Sequence, residues 1–405
     1  LNSNREFPPR DLGLISNSFA KISAQTSTVS PLLKAVASAA VDQIENTKPL
    51  DLAQLLNAFA KLQVRDPPFY EAAAPEVMSK ISDFDPQGIS LTTHAYGKQQ
   101  VVHHALFDKI AEVSMRIMDR FLPKHLSNIA YGFGRLQVRH KKLLQSLSDE
   151  IIYRGTIGKT LQNASDLYFF QLHDLELLSQ AFSRLAVFDQ RLYFVIFDMT
   201  RQRVREFTRR VKDTEAEQDV NASVHSVIDK SRVAAMAGRG EEIKMLTGSG
   251  LSSPLMAFAK SKADFHSLIR WVPHQVTSLD GQYSTVQLVQ IFNACTRLGV
   301  KHAPMYSDLL SFAKPRIPQM SPRDLAMLMA SMPKAKISNR NIIRNAIKVL
   351  SARIGDLNML DISAALVGCC ELNYRDERFL RLLASIIRTR MHEMSGSQLA
   401  TAFTS

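Results

Sequence analysis

The stretch DLAQLLNAFAKL, Asp51–Leu62, returns along the chain in altered copies. DLGLISNSFAKI stands at Asp11–Ile22, HLSNIAYGFGRL at His125–Leu136 and DLELLSQAFSRL at Asp174–Leu185. Each copy has an aliphatic residue, a second aliphatic three places later, then a small residue, an aromatic and a cation two places on. Taking the aromatic as anchor, the copies align on Phe19, Phe59, Tyr96, Phe133, Phe182, Phe258, Cys295, Met332, Cys369 and Phe403. Five of the nine successive steps are 37 residues, and the step of 76 leaves room for one further, illegible copy near residue 220.

Apolar residues seven and four places before the anchor, with the anchor itself, form one stripe of an α-helix. Leu52, Leu55 and Phe59 are one such set, and Leu126, Ile129 and Phe133 another. The position just before the anchor is small in every copy: Ser18, Ala58, Ala95, Gly132, Ala181, Ala257, Ala294, Ser331, Gly368 and Ala402. A small residue beside the stripe lets a neighbouring helix approach closely. A second apolar-periodic segment follows most copies, such as Phe69–Ile81, Leu106–Ile117, Leu143–Ile152, Leu192–Val204, Met305–Ile317, Ile342–Ile354 and Phe379–Met391. Pro67, Pro68 and Pro304 stand where such helices would start. The unit is therefore a helix hairpin of 37 residues. One hairpin cannot bury its own apolar face, so the expected fold is all-α, an α-solenoid of about ten to eleven stacked hairpins.

The expected organisation is repeats one to five over residues 1–200, a break at 201–247, and resumed repeats over 248–405, in one continuous solenoid. Within the break, Arg201–Lys212 carries six basic residues and Asp213–Asp219 four acidic ones. They read as an overlong helix end and a solvated linker, followed by an eroded repeat. The 49-residue step before Phe182 places extra residues in a loop at Arg154–Asp166. Repeat three is the least faithful early copy, with Thr92 and Gln99 in place of aliphatics. The ends Leu1 and Ser405 fall inside repeats, so the chain reads as a mature or trimmed piece.

The chain carries 50 Lys and Arg against 38 Asp and Glu, a formal charge of +12. That balance suits a polyanionic partner without identifying one. No apolar run reaches the roughly 20 residues a membrane span needs, and no membrane partner is expected. Cys295 and Cys369 take anchor positions and read as small core residues in a reducing compartment. No metal or cofactor is expected: cysteine pairs at zinc spacing are missing, and His103–His104 and His392–Glu393 lack ligand partners nearby in sequence. Zinc-protease, Walker, dinucleotide-binding and serine-hydrolase motifs are missing too, so neither a catalytic residue nor a small-molecule substrate is proposed. Trp271 reads as core.

Two positions of the repeat could meet a partner. Two after the anchor stand Lys21, Lys61, Lys98, Arg135, Arg184, Lys260, Arg297 and Lys334, with Glu371 as the exception. A cation in the last turn complements the helix dipole for about 0.3–1 kcal/mol. Stacking the hairpins would also line these charges into a row suited to a phosphate backbone. Two before the anchor stand Asn17, Asn57, His94 and Tyr131, types that hydrogen-bond or stack on unpaired bases. They could equally bond between hairpins. Arg201, Arg203, Arg205, Arg209 and Arg210 form a candidate phosphate patch.

The segments LLNAFAKL and LSNIAYGFGRL, repeated at 37 residues, resemble the heptatricopeptide repeats of apicomplexan mitochondrial proteins. Those repeats are similar to octotricopeptide repeats and to the helical region of FAST-kinase-like proteins. The resemblance covers nearly the whole chain apart from 201–247. It implies RNA binding in the mitochondrial matrix, notably to fragments of ribosomal RNA. Such proteins often end in a small nuclease-like RAP domain, which is not legible here, so no cleavage activity is expected. The reading is a non-catalytic RNA-binding protein, a mitochondrial ribosome component that clamps rRNA fragments beside other ribosomal or ribonucleoprotein proteins. Its rivals are a maturation or stability factor holding single-stranded transcript ends, and a protein-only scaffold.

Overall fold

The computed structural model describes residues 7–22, 26–63, 66–158, 168–187, 189–203, 206, 252, 254–260, 272–274, 276 and 283–393. Among them every regular element is helical, as the 3.6-residue periodicity requires. The chain divides into two compact units, Leu1–Thr208 and Arg209–Ser405. The division falls inside the stretch where the repeat breaks. The eroded repeat near residue 220, Trp271 and the anchor Phe403 lie outside the described residues.

In the first unit the hairpins are α1 (Pro9–Ile22) with α2 (Thr26–Asp42), and α3 (Pro49–Lys61) with α4 (Pro67–Lys80). Then come α5 (Pro86–Gln99) with α6 (His104–Arg116), and α7 (Pro123–Leu136) with α8 (Lys141–Ile157). The last is α9 (Leu172–Arg184) with the helix at residues 190–203. In the second unit α10 (Thr285–Arg297) pairs with α11 (Ala303–Ala313), α12 (Pro322–Ser331) with α13 (Arg340–Ala352), and α14 (Met359–Glu371) with α15 (Glu377–Arg390). Pro315 and Pro318 convert the end of the α11 segment into a 3₁₀ turn, Lys314–Gln319.

The anchors make the core. Phe59, Tyr96, Phe133, Phe182, Cys295 and Met332 are fully buried. The thiols of Cys295 and Cys369 are pushed up by burial, to about 12 and about 11, so both are neutral packing groups. An aromatic file crosses repeats two to four: Phe59 meets Phe69 at 5.0 Å, Tyr70 meets Tyr96 at 5.1 Å and Phe107 meets Phe133 at 4.8 Å. Of the polar substitutions of repeat three, Gln99 is absorbed by a bond, whereas the buried Thr92 Oγ1 has no hydrogen-bond partner among the described residues. Gln99 Nε2 donates to Phe59 O at 3.2 Å and Tyr96 OH to Tyr70 O at 2.6 Å.

Successive first helices pack side by side, and their separation is set by the small positions. A Cβ on Gly97 would stand 2.7 Å from Gly132 Cα, and one on Gly134 would stand 2.7 Å from Ala181 Cα. The residue after one anchor thus meets the residue before the next. Sequence reading singled out only the latter.

Three further positions recur. Each first helix of repeats two to five and of the second unit closes on a left-handed residue four after the anchor: Gln63, Gln100, Gln137, Ala186, Gly299, Lys336 and Asn373, at φ of 48–71°. The next residue's N–H returns to the anchor carbonyl, as Val138 does to Phe133 O at 3.0 Å and Val300 to Cys295 O at 3.0 Å. That is the six-to-one bond of a Schellman cap. Three places further the second helix is capped by Asp66, His103, His140, Asp189, His302, Asn339 or Asp376, each accepting from a backbone N–H.

Twenty-one places after the anchor stands a cation in six of the nine copies that reach that position, Ala40, Ile117 and Leu279 being the exceptions, and the cation closes the hairpin. Lys80 Nζ donates to Glu45 O at 2.5 Å and Thr47 O at 3.2 Å. Arg154 donates to Phe121 O at 2.5 Å and to Met118 O and Asp119 O at 3.3 Å. Arg203 reaches Phe170 O, Arg316 reaches Tyr283 O, Arg353 reaches Met320 O and Arg390 reaches Leu357 O. The end of the second helix is thereby tied to the lead-in of the first. This corrects the loop expected at Arg154–Asp166: α8 continues to Ile157 and Arg154 is buried within it. Residues 159–167 lie outside the described ones.

Candidate nucleic-acid interface

The last turn of a first helix ends in carbonyls without intrahelical partners, so a cation is favoured there on electrostatic grounds alone. Lys61, Arg135 and Arg184 are exposed at the ends of α3, α7 and α9, and Lys98 is half-buried at the end of α5. None of the four forms an ion pair or a side-chain hydrogen bond with a described residue. They act on one another instead. Burial and then the neighbouring Lys61 hold the Lys98 ammonium below the usual lysine range. Burial and then Arg135 do the same to Arg184. Lys61 with Lys98, and Arg135 with Arg184, are therefore near neighbours in space, and none of the four has an ion-pair partner among the described residues.

Positions two before and two after the anchor are one helical turn apart and share a face. The structure divides the candidates at the earlier position. Asn57 is buried, 6% exposed, which removes it from the set able to meet a base. Gln180, on the same face of α9, donates to Glu176 at 3.1 Å. His94 and Tyr131 are half-buried, with ring centroids 5.1 Å apart and planes inclined by 31°. Burial, then Lys98, His173 and Lys61, lowers the His94 imidazole to about 4, so it is neutral near pH 7. His173 lies 3.7 Å from the Glu176 carboxylate, whose hydrogen bond raises its pKa.

The second unit carries the motif more thinly. Lys260, Arg297 and Lys334 are exposed. Arg297 and Lys334 have no ion pair with a described residue. Asn293, two before its anchor, is spent on Ser331 Oγ at 2.8 Å, and no ring occupies that position in α10, α12 or α14.

The candidate patch after residue 200 needs correction. Arg203 is held by Phe170 O at 3.0 Å and by Glu206 at 2.5 Å, and its guanidinium lies 3.6 Å over the Phe169 ring. It is the hairpin-closing cation of repeat five, not a free phosphate contact. Arg201 pairs with Asp198 at 2.7 Å and keeps about a third of its side chain in solvent. Arg205, Arg209 and Arg210, and the side chains of Asn17 and Lys21, lie outside the described residues.

Among the described residues no cluster of His, Cys, Asp and Glu has the makings of a metal site, and no helix is long and apolar enough to cross a membrane. What the structure offers is a cation without an ion-pair partner among the described residues at the ends of α3, α5, α7, α9 and α10, with two neighbouring rings beside them in repeats three and four.

Residues 14–171 match the model of the RNA-editing substrate-binding complex 6 protein family. The match covers about two-fifths of the chain and falls wholly inside the first unit, taking in Lys61, Lys98, Arg135, His94 and Tyr131. No curated protein matches the chain.

Proposed function

We propose that this protein is a non-catalytic RNA-binding helical-repeat protein whose first unit holds RNA by its phosphates. Lys61, Lys98, Arg135 and Arg184 are the contacts. The observation that carries the reading is the split among the cations. The described cations twenty-one after the anchor are engaged with carbonyls or carboxylates, whereas these four have no ion-pair partner among the described residues, and Lys61 repels Lys98 as Arg135 repels Arg184. Leaving four like charges uncompensated costs stability, and a phosphate chain laid along them relieves that cost.

The similarity of residues 14–171 to a component of an RNA-editing substrate-binding complex supports an RNA partner. It favours a processing or maturation factor over a component of the mitochondrial ribosome. A mitochondrial-matrix location, and protein partners within a ribonucleoprotein assembly, belong to the same proposal. They rest on the resemblance of the repeats.

RNA binding measured against salt tests the reading. Each phosphate contact to a single strand contributes about 0.7 to the slope of log K against log salt. Four contacts give a slope near −3, and Lys61→Glu, Arg135→Glu and Arg184→Glu together bring it to about −0.7. A flat salt response, or unchanged affinity in the triple variant, overturns the proposal in favour of a protein-only scaffold.

A further inference from the structure

The two rings in the cation row have no packing explanation. The position two before the anchor lies beside the apolar stripe, and the other first helices pack with Asn57, Gln180, Asn293, Ala330 or Val367 there. A ring is therefore not required for the helices to stack. Only α5 and α7 among the described first helices of repeats two to five carry one, and those two are adjacent. Their ring centroids lie 5.1 Å apart with the planes tilted by 31°, a separation within the usual range of aromatic pairs. Both are half-buried, so each is held in place while keeping part of its surface in solvent.

The charges around the pair are arranged by the same repeat. Lys98 stands one turn below His94 on α5, and Lys61 on α3 acts on the same imidazole. Arg135 stands one turn below Tyr131 on α7, and Arg184 on α9 feels both Arg135 and the Tyr131 hydroxyl. His173 and Glu176 of α9 complete the surroundings, Glu176 being occupied by His173 and Gln180. A phosphate track needs only cations. Rings among them are what a strand with accessible bases would use, because every base has a face that stacks and single strands bind through cations interleaved with aromatics.

We infer that His94 and Tyr131 form a stacking platform for one unpaired base of RNA, flanked by phosphates on Lys61 and Lys98 to one side and on Arg135 and Arg184 to the other. The inference rests on the phosphate reading above and adds to it the class of ligand: single-stranded RNA rather than a duplex. A duplex keeps its bases stacked on each other and leaves the platform empty.

The test compares three probes on the full chain by fluorescence anisotropy: a 12-nucleotide single-stranded RNA, a duplex RNA of the same length, and inorganic polyphosphate. Tyr131→Ala is expected to weaken single-strand binding by roughly 5- to 150-fold, the range for losing one stacked base. Polyphosphate affinity and the salt slope should be unchanged, and Tyr131→Phe should stay within about twofold. His94→Gln gives a second, smaller loss confined to the single strand, and it stands if Tyr131→Ala does not fold. The platform is overturned if Tyr131→Ala and His94→Gln leave single-strand binding intact, or weaken polyphosphate by the same factor. The phosphate reading survives that outcome provided Lys61→Glu and Arg135→Glu still abolish binding. If the unmodified protein binds none of the three probes, both fail.

Discussion

Arg154→Met should be among the costliest single substitutions in the first unit. The side chain is 2% exposed, and its guanidinium donates to three backbone carbonyls, Phe121 O, Met118 O and Asp119 O, as well as to Glu150 at 2.6 Å. Methionine fills similar volume but offers no donor. The three carbonyls belong to the turn that leads into α7. A hydrogen bond to a charged group contributes about 1.5–3 kcal/mol, and breaking one side of a buried charged network costs about 3–5 kcal/mol. These do not add, because the turn can relax toward water, so the expected loss is about 3–5 kcal/mol. For a unit of roughly 200 residues that corresponds to about 6–20 °C in melting temperature. Differential scanning calorimetry of the full chain resolves the first unit's transition. Arg154→Lys should recover part of the loss, since Lys80 makes the same closure in repeat two with an ammonium. Arg353→Met, where the side chain is 47% exposed and the carbonyl is 3.4 Å away, should cost under about 1 kcal/mol. Equal shifts for Arg154→Met and Arg353→Met would refute the argument that burial, not the repeat position itself, makes the closure strong.

Three further outcomes are expected. Gly132→Ala drives a methyl against the Thr93 backbone and should destabilise by about 1–3 kcal/mol in urea melts, whereas Gly13→Ala, whose nearest neighbour is 3.7 Å away, should be neutral or stabilising by up to about 1 kcal/mol. His125 accepts from Leu122 N–H through Nδ1, and burial lowers it to about 4 against an unfolded value near 6.5. The unfolded chain therefore takes the proton first as pH falls, and stability drops between about pH 6.5 and 4 by up to about 1.4 kcal/mol per pH unit from this group, with His94 adding a similar slope and His173 and Asp174, both raised, opposing it. His125→Gln should flatten that slope while keeping the cap, because Gln287 makes the same bond to Ser284 N at 2.8 Å in the second unit. Finally, a phosphate beside His94 raises its proton affinity, so RNA binding should take up a fraction of a proton near pH 5 and tighten as pH falls toward it, an effect lost in His94→Gln.

The fold was legible because its determinants recur. Leu52, Leu55, Ala58 and Phe59 have counterparts in every copy, so one alignment exposes the stripe, the close-packed position and the hairpin period. The hairpin closure was equally periodic, with Lys80, Arg154, Arg203, Arg316, Arg353 and Arg390 at one register. It escaped notice because a cation at a helix end looks the same whether it faces solvent or a carbonyl. Arg203 was misread as a phosphate contact for that reason. The left-handed turn was hidden by Gln63, Gln100 and Gln137, where only Gly299 carries the residue that usually marks such a position. Asn57 and Tyr131 occupy the same register with different exposures, and no property of their own sequence neighbourhoods distinguishes them.

The small positions and the cation row are linked by distance. Two charges interact across water only within about 8 Å at physiological ionic strength, and ordinary packed helices lie 8–10 Å apart. A row of cations on conventionally packed helices would be a set of separate charges. Gly97 against Gly132, and Gly134 against Ala181, allow the first helices to approach more closely than side chains of ordinary size permit. The effect of Arg135 on Arg184, across the α7–α9 contact of Gly134 with Ala181, is the electrostatic trace of that approach. The residue that spaces the helices thus also determines whether the charges at their ends act together. A methyl at position 134 should consequently weaken polyanion binding as well as the fold, with no change to any cation.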